Sequence, residues 1–121
     1  TVGFENVDRL SPVVEGHVAR IPLSAFEGGP GVLVPHPEEG LPVYVHRHGP
    51  HRFTAVLTRC THRGCQVDPA PKRLVCPCHG SEYQLDGRLL AGPAEASLVP
   101  YPATVEGRHL RLDLDLTGGS S

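Results

Sequence analysis

All four cysteines of this 121-residue chain fall in two short segments, and each segment also carries one histidine. The first segment reads CTHRGC over residues 60–65, and the second reads CPCHGSEY over residues 76–83. A disulfide framework needs cysteines alone, whereas metal sites commonly combine cysteine with histidine. The two segments therefore favour one metal centre held between two loops.

The spacing within each segment allows a cysteine and a histidine to approach the same centre. Cys60 and His62 are two residues apart, so both side chains fall on one side of an extended segment. Cys76 and His79 are three residues apart, a spacing that a tight turn brings together.

The same residues leave a zinc site and a metal-free disulfide module open as alternatives. For zinc, the Cys-x-Cys at 76–78 is awkward for two-point chelation, and the C-x4-C spacing at 60–65 is unusual. In a metal-free module, the four cysteines allow three disulfide pairings. Such a module gives no reason for the two histidines.

The rest of the chain predicts an all-β antiparallel domain. Short β-rich runs recur between turn signals, and no segment keeps a helical period beyond one turn within residues 23–29. Tight turns are expected at Asp86-Gly87, at Glu106-Gly107 and at the HGPH tip, residues 48–51. The predicted strands are 17–23, 31–35, 42–48, 52–58, 73–76, 81–85, 87–91, 103–107 and 108–116.

The alternation of the last strand predicts one buried face and one solvated face. Leucines at 110, 112, 114 and 116 alternate with polar side chains there. We expect a single domain over 1–121, with a base formed by 1–58 and 94–121, a loop-built cluster-binding subdomain at 59–93 and a flexible tail at 117–121.

Composition excludes several other classes of function. A net charge of -2 and a pI near 6.4 provide no positive field for nucleic acid. No apolar run reaches the length of a membrane span, so direct membrane insertion of this chain is not expected.

Together with Gly92-Pro93-Ala94, the two segments resemble the Rieske iron–sulfur proteins, in particular the disulfide-containing type of the cytochrome bc complexes. The resemblance is strong in the cluster region. Residues 1–58 of the base resemble the family only in their predicted β-strand content. It implies a β-sandwich or barrel base that carries one [2Fe–2S] cluster. It also implies Cys60 and Cys76 on one iron, His62 and His79 on the other, and a disulfide between Cys65 and Cys78.

The resemblance implies roles for the surrounding residues as well. The hydroxyls of Ser81 and Tyr83 would donate hydrogen bonds to sulfur and raise the reduction potential. The loop with Gly92 and Pro93 would cover the cluster. His62 and His79 would each bind iron through one ring nitrogen and take up a proton on the other, which couples electron transfer to proton transfer.

The function implied is that of an electron-transfer domain in a quinol–cytochrome c reductase of a respiratory chain. It would act beside a cytochrome b-type membrane subunit and a c-type cytochrome, with no turnover of its own. The periplasm or an equivalent outer membrane face is the expected location, and this location would be compatible with a full-length protein anchored by a removed N-terminal helix. The chain departs from the pattern of the bc-complex relatives at two places. Position 63 is Arg63, where those relatives carry an apolar residue, and the segment between Cys65 and Cys76 is shorter than theirs. These departures leave a soluble exported carrier, or the small subunit of a periplasmic oxidase, as the alternative.

The other histidines receive less specific expectations. His46, His48 and His51 surround the RHGPH tip, and an exposed polar hairpin is favoured there over a second metal site. The three remaining histidines are expected at surface or strand positions: His17, His36 and His109.

Overall fold

The computed structural model describes residues 8–9, 13–15, 17–37, 39–61, 64–78, 80–94 and 96–114. Within these ranges one 3-10 helix, Leu23–Phe26, accompanies a set of short strands. The strands are β1 (Asp8–Arg9), β2 (Val13–Glu15), β3 (Val18–Pro22), β4 (Gly31–Pro35), β5 (Pro42–Gly49), β6 (Arg52–Leu57), β7 (Asp68–Pro69), β8 (Leu74–Val75), β9 (Glu82–Tyr83), β10 (Leu89–Ala91), β11 (Pro100–Tyr101), β12 (Ala103–Glu106) and β13 (His109–Asp113).

The middle strands of the central sheet are buried on both faces over residues 32–34, 43–45 and 55–57. Its strand order is β1-β4-β5-β6-β11, and its middle strands carry continuous apolar runs rather than alternating ones. On β5, Val43 and Val45 point into one apolar cluster, whereas Tyr44 between them points into another. The central sheet therefore lies between two other layers of the molecule.

The first of these layers is the sheet β12-β13-β3-β2. Its inward side chains pack with the central sheet in what we call the base core, which includes Ala19, Ile21, Leu110, Leu112 and Leu114. All five are at most 2% exposed, and the outward neighbours of the leucines on β13 are polar. The predicted alternation of this strand is confirmed as far as Leu114. Leu116 and the tail at 117–121 lie outside the described residues.

The second layer is the small sheet β10-β9-β8-β7, which lies next to the cysteine segments. It packs against the other face of the central sheet in what we call the cluster-side core. That core comprises Leu33, Tyr44, Val56, Cys60, Val67, Leu74, Cys76, Tyr83, Ala94 and Leu98. This layering places both segment-leading cysteines on a rigid support.

The all-β prediction is confirmed, and every predicted strand overlaps an observed strand. Four observed strands were not predicted: β1, β2, β7 and β11. One pairing departs from the antiparallel expectation, because β1 runs parallel to β4. In the ranges that the structure describes, no helix is both long and apolar enough to span a bilayer. The division into base and cluster-binding subdomain stays a prediction.

Candidate metal centre

The two cysteine loops have the same backbone hydrogen-bond pattern. In the first, the Cys60 N–H donates to the Cys65 carbonyl and the Gly64 N–H donates back to the Cys60 carbonyl, both at 2.8 Å. In the second, Cys76 donates to Ser81 at 2.8 Å and Gly80 donates to Cys76 at 2.9 Å. The antiparallel pairs Arg59–Gln66 and Val75–Glu82 close the two loops in the same register.

Glycine is required at the fifth position of each loop. Gly64 and Gly80 both have a φ of +81°, in the left-handed region that other L-residues rarely adopt. A side chain at either position would meet open space, so backbone conformation rather than crowding explains the residue choice. Two local sequences, CTHRGC and CPCHGS, therefore produce the same hydrogen-bond pattern and the same glycine conformation.

A disulfide between Cys65 and Cys78 joins the two loops. The other two cysteines lead the loops and are buried, Cys60 at 1% and Cys76 at 0% exposure. The sulfurs of Cys65, Cys76 and Cys78 lie within 4.8 Å of one another. Two of these sulfurs are bonded to each other, so the group is a disulfide beside a thiol rather than a three-cysteine metal site.

The hydroxyl of Tyr83 lies beside the sulfur of Cys60. The tyrosine side chain is fully buried, and its hydroxyl oxygen is 3.4 Å from Sγ of Cys60. Burial, followed by the hydrogen bond with Cys60, raises the pKa of Tyr83. The phenol therefore stays protonated at neutral pH and is able to donate to sulfur.

Thr61 also contacts the Tyr83 hydroxyl, a role that the sequence did not indicate. The Thr61 N–H donates to the Tyr83 oxygen at 3.3 Å, and the two hydroxyl oxygens are 3.2 Å apart. The Thr61 hydroxyl also donates to the Ala96 carbonyl at 2.6 Å, which ties the first cysteine loop to the segment after Pro93. A threonine beside a cysteine carries no periodic signal that could have revealed this contact.

Ser81 connects the second cysteine loop to the same segment. Its side chain is fully buried, and its oxygen accepts the Ala94 N–H at 3.0 Å. A Cβ on Gly92 would lie 2.8 Å from the Ala94 carbonyl oxygen, so the Gly92-Pro93-Ala94 turn closes this tightly only with glycine. Gly92 and Pro93 themselves are exposed at the surface of that turn.

The described residues fit an iron–sulfur cluster. Two buried thiols lead two loops with the same hydrogen-bond pattern, and a neutral hydroxyl lies beside one of them. The Ser81 hydroxyl is an acceptor for Ala94, and among the described residues its own proton has no hydrogen-bond acceptor. Such a buried donor is available to bond to an inorganic sulfide or a ligand sulfur of the cluster. His62, Arg63 and His79 lie outside the described residues.

Comparisons with known proteins agree with this chemistry. The family model for the Rieske [2Fe-2S] domain matches residues 27–102. A cytochrome b6-f complex iron–sulfur subunit of Chlorobaculum thiosulfatiphilum is 45% identical over 57 residues, which are 46% of this chain and 32% of that subunit. Across the first curated relatives, the match spans about a third of their length.

Solved structures give the same assignment. The plasma membrane Rieske protein of the cyanobacterium Synechocystis PCC 6803 has a TM-score of 0.65 and 32% identity, covering 75% of this chain and 93% of that protein. The ferredoxin of carbazole 1,9a-dioxygenase from Nocardioides aromaticivorans shares the fold at a TM-score of 0.58 and 23% identity, covering 85% of this chain and 97% of that one. The chain belongs to the Rieske [2Fe–2S] domain family, and its cofactor is a [2Fe–2S] cluster.

Proposed function

We propose that this chain is the cluster-bearing domain of a quinol-oxidising iron–sulfur subunit, which passes electrons from quinol to a c-type cytochrome. The observation that carries the proposal is the buried Tyr83 hydroxyl, 3.4 Å from the Cys60 sulfur. A hydrogen bond to a ligand sulfur stabilises the added negative charge of the reduced state and raises the reduction potential. An acceptor for quinol electrons needs a potential in the upper part of the Rieske range, about −150 to +300 mV.

We assign Cys60 and Cys76 to one iron and His62 and His79 to the other. The bound cluster supplies a site that accepts and releases one electron. Tyr83 donates to the Cys60 sulfur, and Ser81 has a buried proton to donate to a sulfide. His62 and His79 would each hold a proton on the ring nitrogen that does not bind iron.

The proposed partners are a cytochrome b-type membrane subunit and a c-type cytochrome, with quinol bound at the interface. Support comes from relatives that are named as subunits of cytochrome b6-f complexes. The proposed location is the periplasm or the outer face of an energy-transducing membrane. The Cys65–Cys78 disulfide supports an oxidising compartment.

A soluble exported electron carrier is the second candidate. The observation in its favour is the compact segment between the two cysteine loops. Strands β7 and β8 pair directly there, and the Ala70 N–H donates to the Arg73 carbonyl at 2.8 Å in the turn between them. Such a tight hairpin offers little additional surface for docking against a membrane cytochrome.

Redox titration and electron-transfer kinetics distinguish the two candidates. The holo-domain would be titrated with mediators while the EPR signal of the reduced cluster is followed. Its oxidation by a c-type cytochrome would then be timed by stopped flow. The full-length protein, assembled with its cytochrome b-type subunit, would be assayed for quinol-dependent cytochrome reduction.

The proposal expects a clearly positive midpoint potential, rapid electron transfer to the cytochrome and quinol oxidation that needs the assembled complex. A negative midpoint potential would contradict quinol oxidation and favour a ferredoxin-like carrier. A complex that oxidises quinol equally well without this domain would also contradict the proposal. Nitrogen hyperfine couplings that persist after His79→Ala and after His62→Ala would refute the ligand assignment.

A further inference from the structure

A pair of histidines outside the cysteine loops lies on one face of β5. His46 and His48 are two residues apart on this strand, and their ring centroids are 4.7 Å apart at an interplanar angle of 58°. His46 is half-buried and His48 is exposed, so the pair is open to solvent on one side. This spacing brings two imidazoles close enough to share one small cation.

Each ring is held by a hydroxyl group through one of its two nitrogens. The Tyr44 hydroxyl lies 2.8 Å from Nδ1 of His46, and the Thr54 hydroxyl lies 2.7 Å from Nε2 of His48. Both hydroxyls are able to accept an N–H, which is the outer hydrogen bond that metal-binding histidines usually make. Within the described ranges, Nε2 of His46 and Nδ1 of His48 make no hydrogen bond to a protein group.

The hydroxyl that holds His46 is itself fixed. Tyr44 is 3% exposed in the cluster-side core, and its ring occupies the space that any side chain at Gly31 would need. Gly31 pairs with His46 across the sheet, so the glycine leaves room for the tyrosine that orients this histidine. The buried Tyr44 ring therefore fixes the position of the hydroxyl that contacts His46.

The surroundings of both rings lower their pKa values, which favours the neutral form that binds metal. Burial, followed by the charge of His48, lowers the pKa of His46 to about 4. Burial and the charge of Arg52 lower the pKa of His48, whereas Asp86 opposes that shift. Arg47, between the two histidines in sequence, lies over the ring of Phe53 in the base core. Its charge is therefore on the opposite face of the sheet from the two imidazoles.

We propose that His46 and His48 form a second metal site, which binds one divalent transition-metal ion such as Zn²⁺ through Nε2 of His46 and Nδ1 of His48. Water completes the coordination shell, and the Tyr44 and Thr54 hydroxyls orient the two rings. Zn²⁺ and Ni²⁺ are the appropriate class because imidazole is a preferred ligand for borderline metals. The site does not depend on the proposed redox function.

Zinc titration of the oxidised holo-protein tests the site. Isothermal titration calorimetry should give one equivalent of bound Zn²⁺, and His48→Asn should weaken binding at least tenfold. Tyr44→Phe and Thr54→Val each remove one orienting hydroxyl and should weaken binding by about tenfold, as is usual for such partners. His109→Asn is the matched control, since it removes an exposed histidine from a different sheet, and its affinity should equal that of the wild type.

Amide chemical shifts provide a second readout that also reports folding. Zn²⁺ should perturb the NMR signals of β5 and β6 near Thr54, and the spectra of the metal-free variants should otherwise match the wild type. Stoichiometric binding that survives His48→Asn and Thr54→Val would overturn the proposal and place the ion elsewhere, including on the cluster histidines. Equal weakening by His109→Asn would show non-specific binding and would overturn it as well.

Discussion

The hydroxyl of Tyr83 and the sulfur of Cys60 lie 3.4 Å apart in a position that water does not reach, because neither side chain is more than 1% exposed. The Tyr83 proton has a second possible acceptor in the Thr61 hydroxyl oxygen, at 3.2 Å. That oxygen gives its own proton to the Ala96 carbonyl, so towards Tyr83 it acts only as an acceptor. Reduction of the cluster increases the negative charge on the ligand sulfurs and therefore favours the bond from Tyr83 to Cys60.

Tyr83→Phe is expected to lower the midpoint potential of the cluster. A hydrogen bond to a charged acceptor contributes about 1.5 kcal/mol, and a tenfold change for a one-electron couple corresponds to about 59 mV, so the expected decrease is roughly 60 mV. EPR-monitored redox titration measures it. Tyr44→Phe is the matched control, because this buried tyrosine shares the cluster-side core but its hydroxyl contacts His46. An unchanged potential in Tyr83→Phe would contradict the assignment.

Thr61→Val is expected to shorten the lifetime of the cluster at elevated temperature. The substitution removes the 2.6 Å hydrogen bond to the Ala96 carbonyl that ties the first cysteine loop to the segment after Pro93. The loss of one such bond destabilises a protein by about 1 kcal/mol. The decay of visible absorption at constant temperature measures cluster loss. Thr61→Ser keeps the hydroxyl and should decay at nearly the wild-type rate, whereas equal decay of both variants would exclude a role for this bond.

The strands whose bounds could be predicted from the sequence are those with enough residues to show an apolar pattern. Strands β4, β5 and β6 carry such runs, and their predicted ranges agree with the structure to within one residue at each end. Strands β1, β7 and β11 have two residues each, which is too short for any periodicity. Strands β1 and β11 pair with β4 and β6, which are distant in sequence, whereas β7 pairs with β8 across a short turn.

In the candidate site, too, some features could be predicted from the sequence and others could not. The two cysteine segments are predicted from residue type and spacing, whereas roles for Ser81 and Tyr83 are predicted only from the resemblance to Rieske proteins. The bond from Thr61 to Ala96 joins segments 35 residues apart and depends on loop closure that no local pattern encodes. The expectation of a surface or strand position for His36 is wrong. This histidine follows β4 and is 9% exposed, with Nε2 3.0 Å from the Leu114 carbonyl and Nδ1 accepting the Glu39 N–H.

Ser81→Ala is expected to lower the midpoint potential and also to loosen the Gly92-Pro93-Ala94 turn. The potential falls because a buried donor is lost, and the turn loosens because the Ala94 N–H loses its acceptor at 3.0 Å. Redox titration reports the first effect, and amide hydrogen exchange at Ala94 reports the second. Faster exchange at Ala94 with no change of potential would show that Ser81 only supports the turn.

Removal of the disulfide is expected to destabilise the cluster region by about 2 to 4 kcal/mol, since the bond closes a loop between positions 13 residues apart. The double variant Cys65→Ser/Cys78→Ser should lose its cluster at lower temperature than the wild type. Mild reductant should lower the temperature at which half of the wild-type protein has lost its cluster, towards the value of the double variant. The same reductant should leave the value of the double variant unchanged. Equal midpoint temperatures for the two oxidised proteins would contradict a stabilising role.

The depressed pKa of His46 predicts an acid-sensitive contribution to stability. The unfolded chain protonates this histidine near its ordinary pKa of 6.5, whereas the folded chain does so only at about 4. Between these values the unfolded state binds more protons, so stability falls as the pH falls through 6.5 and the loss levels off near 4. At pH 5 linkage gives about 2 kcal/mol, and half-exposure of the ring reduces the expected loss to roughly 1 kcal/mol. Urea denaturation at pH 7.5 and pH 5.0 should therefore show a larger loss for the wild type than for His46→Gln, because the carboxylates that titrate in this range are common to both proteins. Equal losses in the two proteins would contradict the burial of a neutral imidazole at this position.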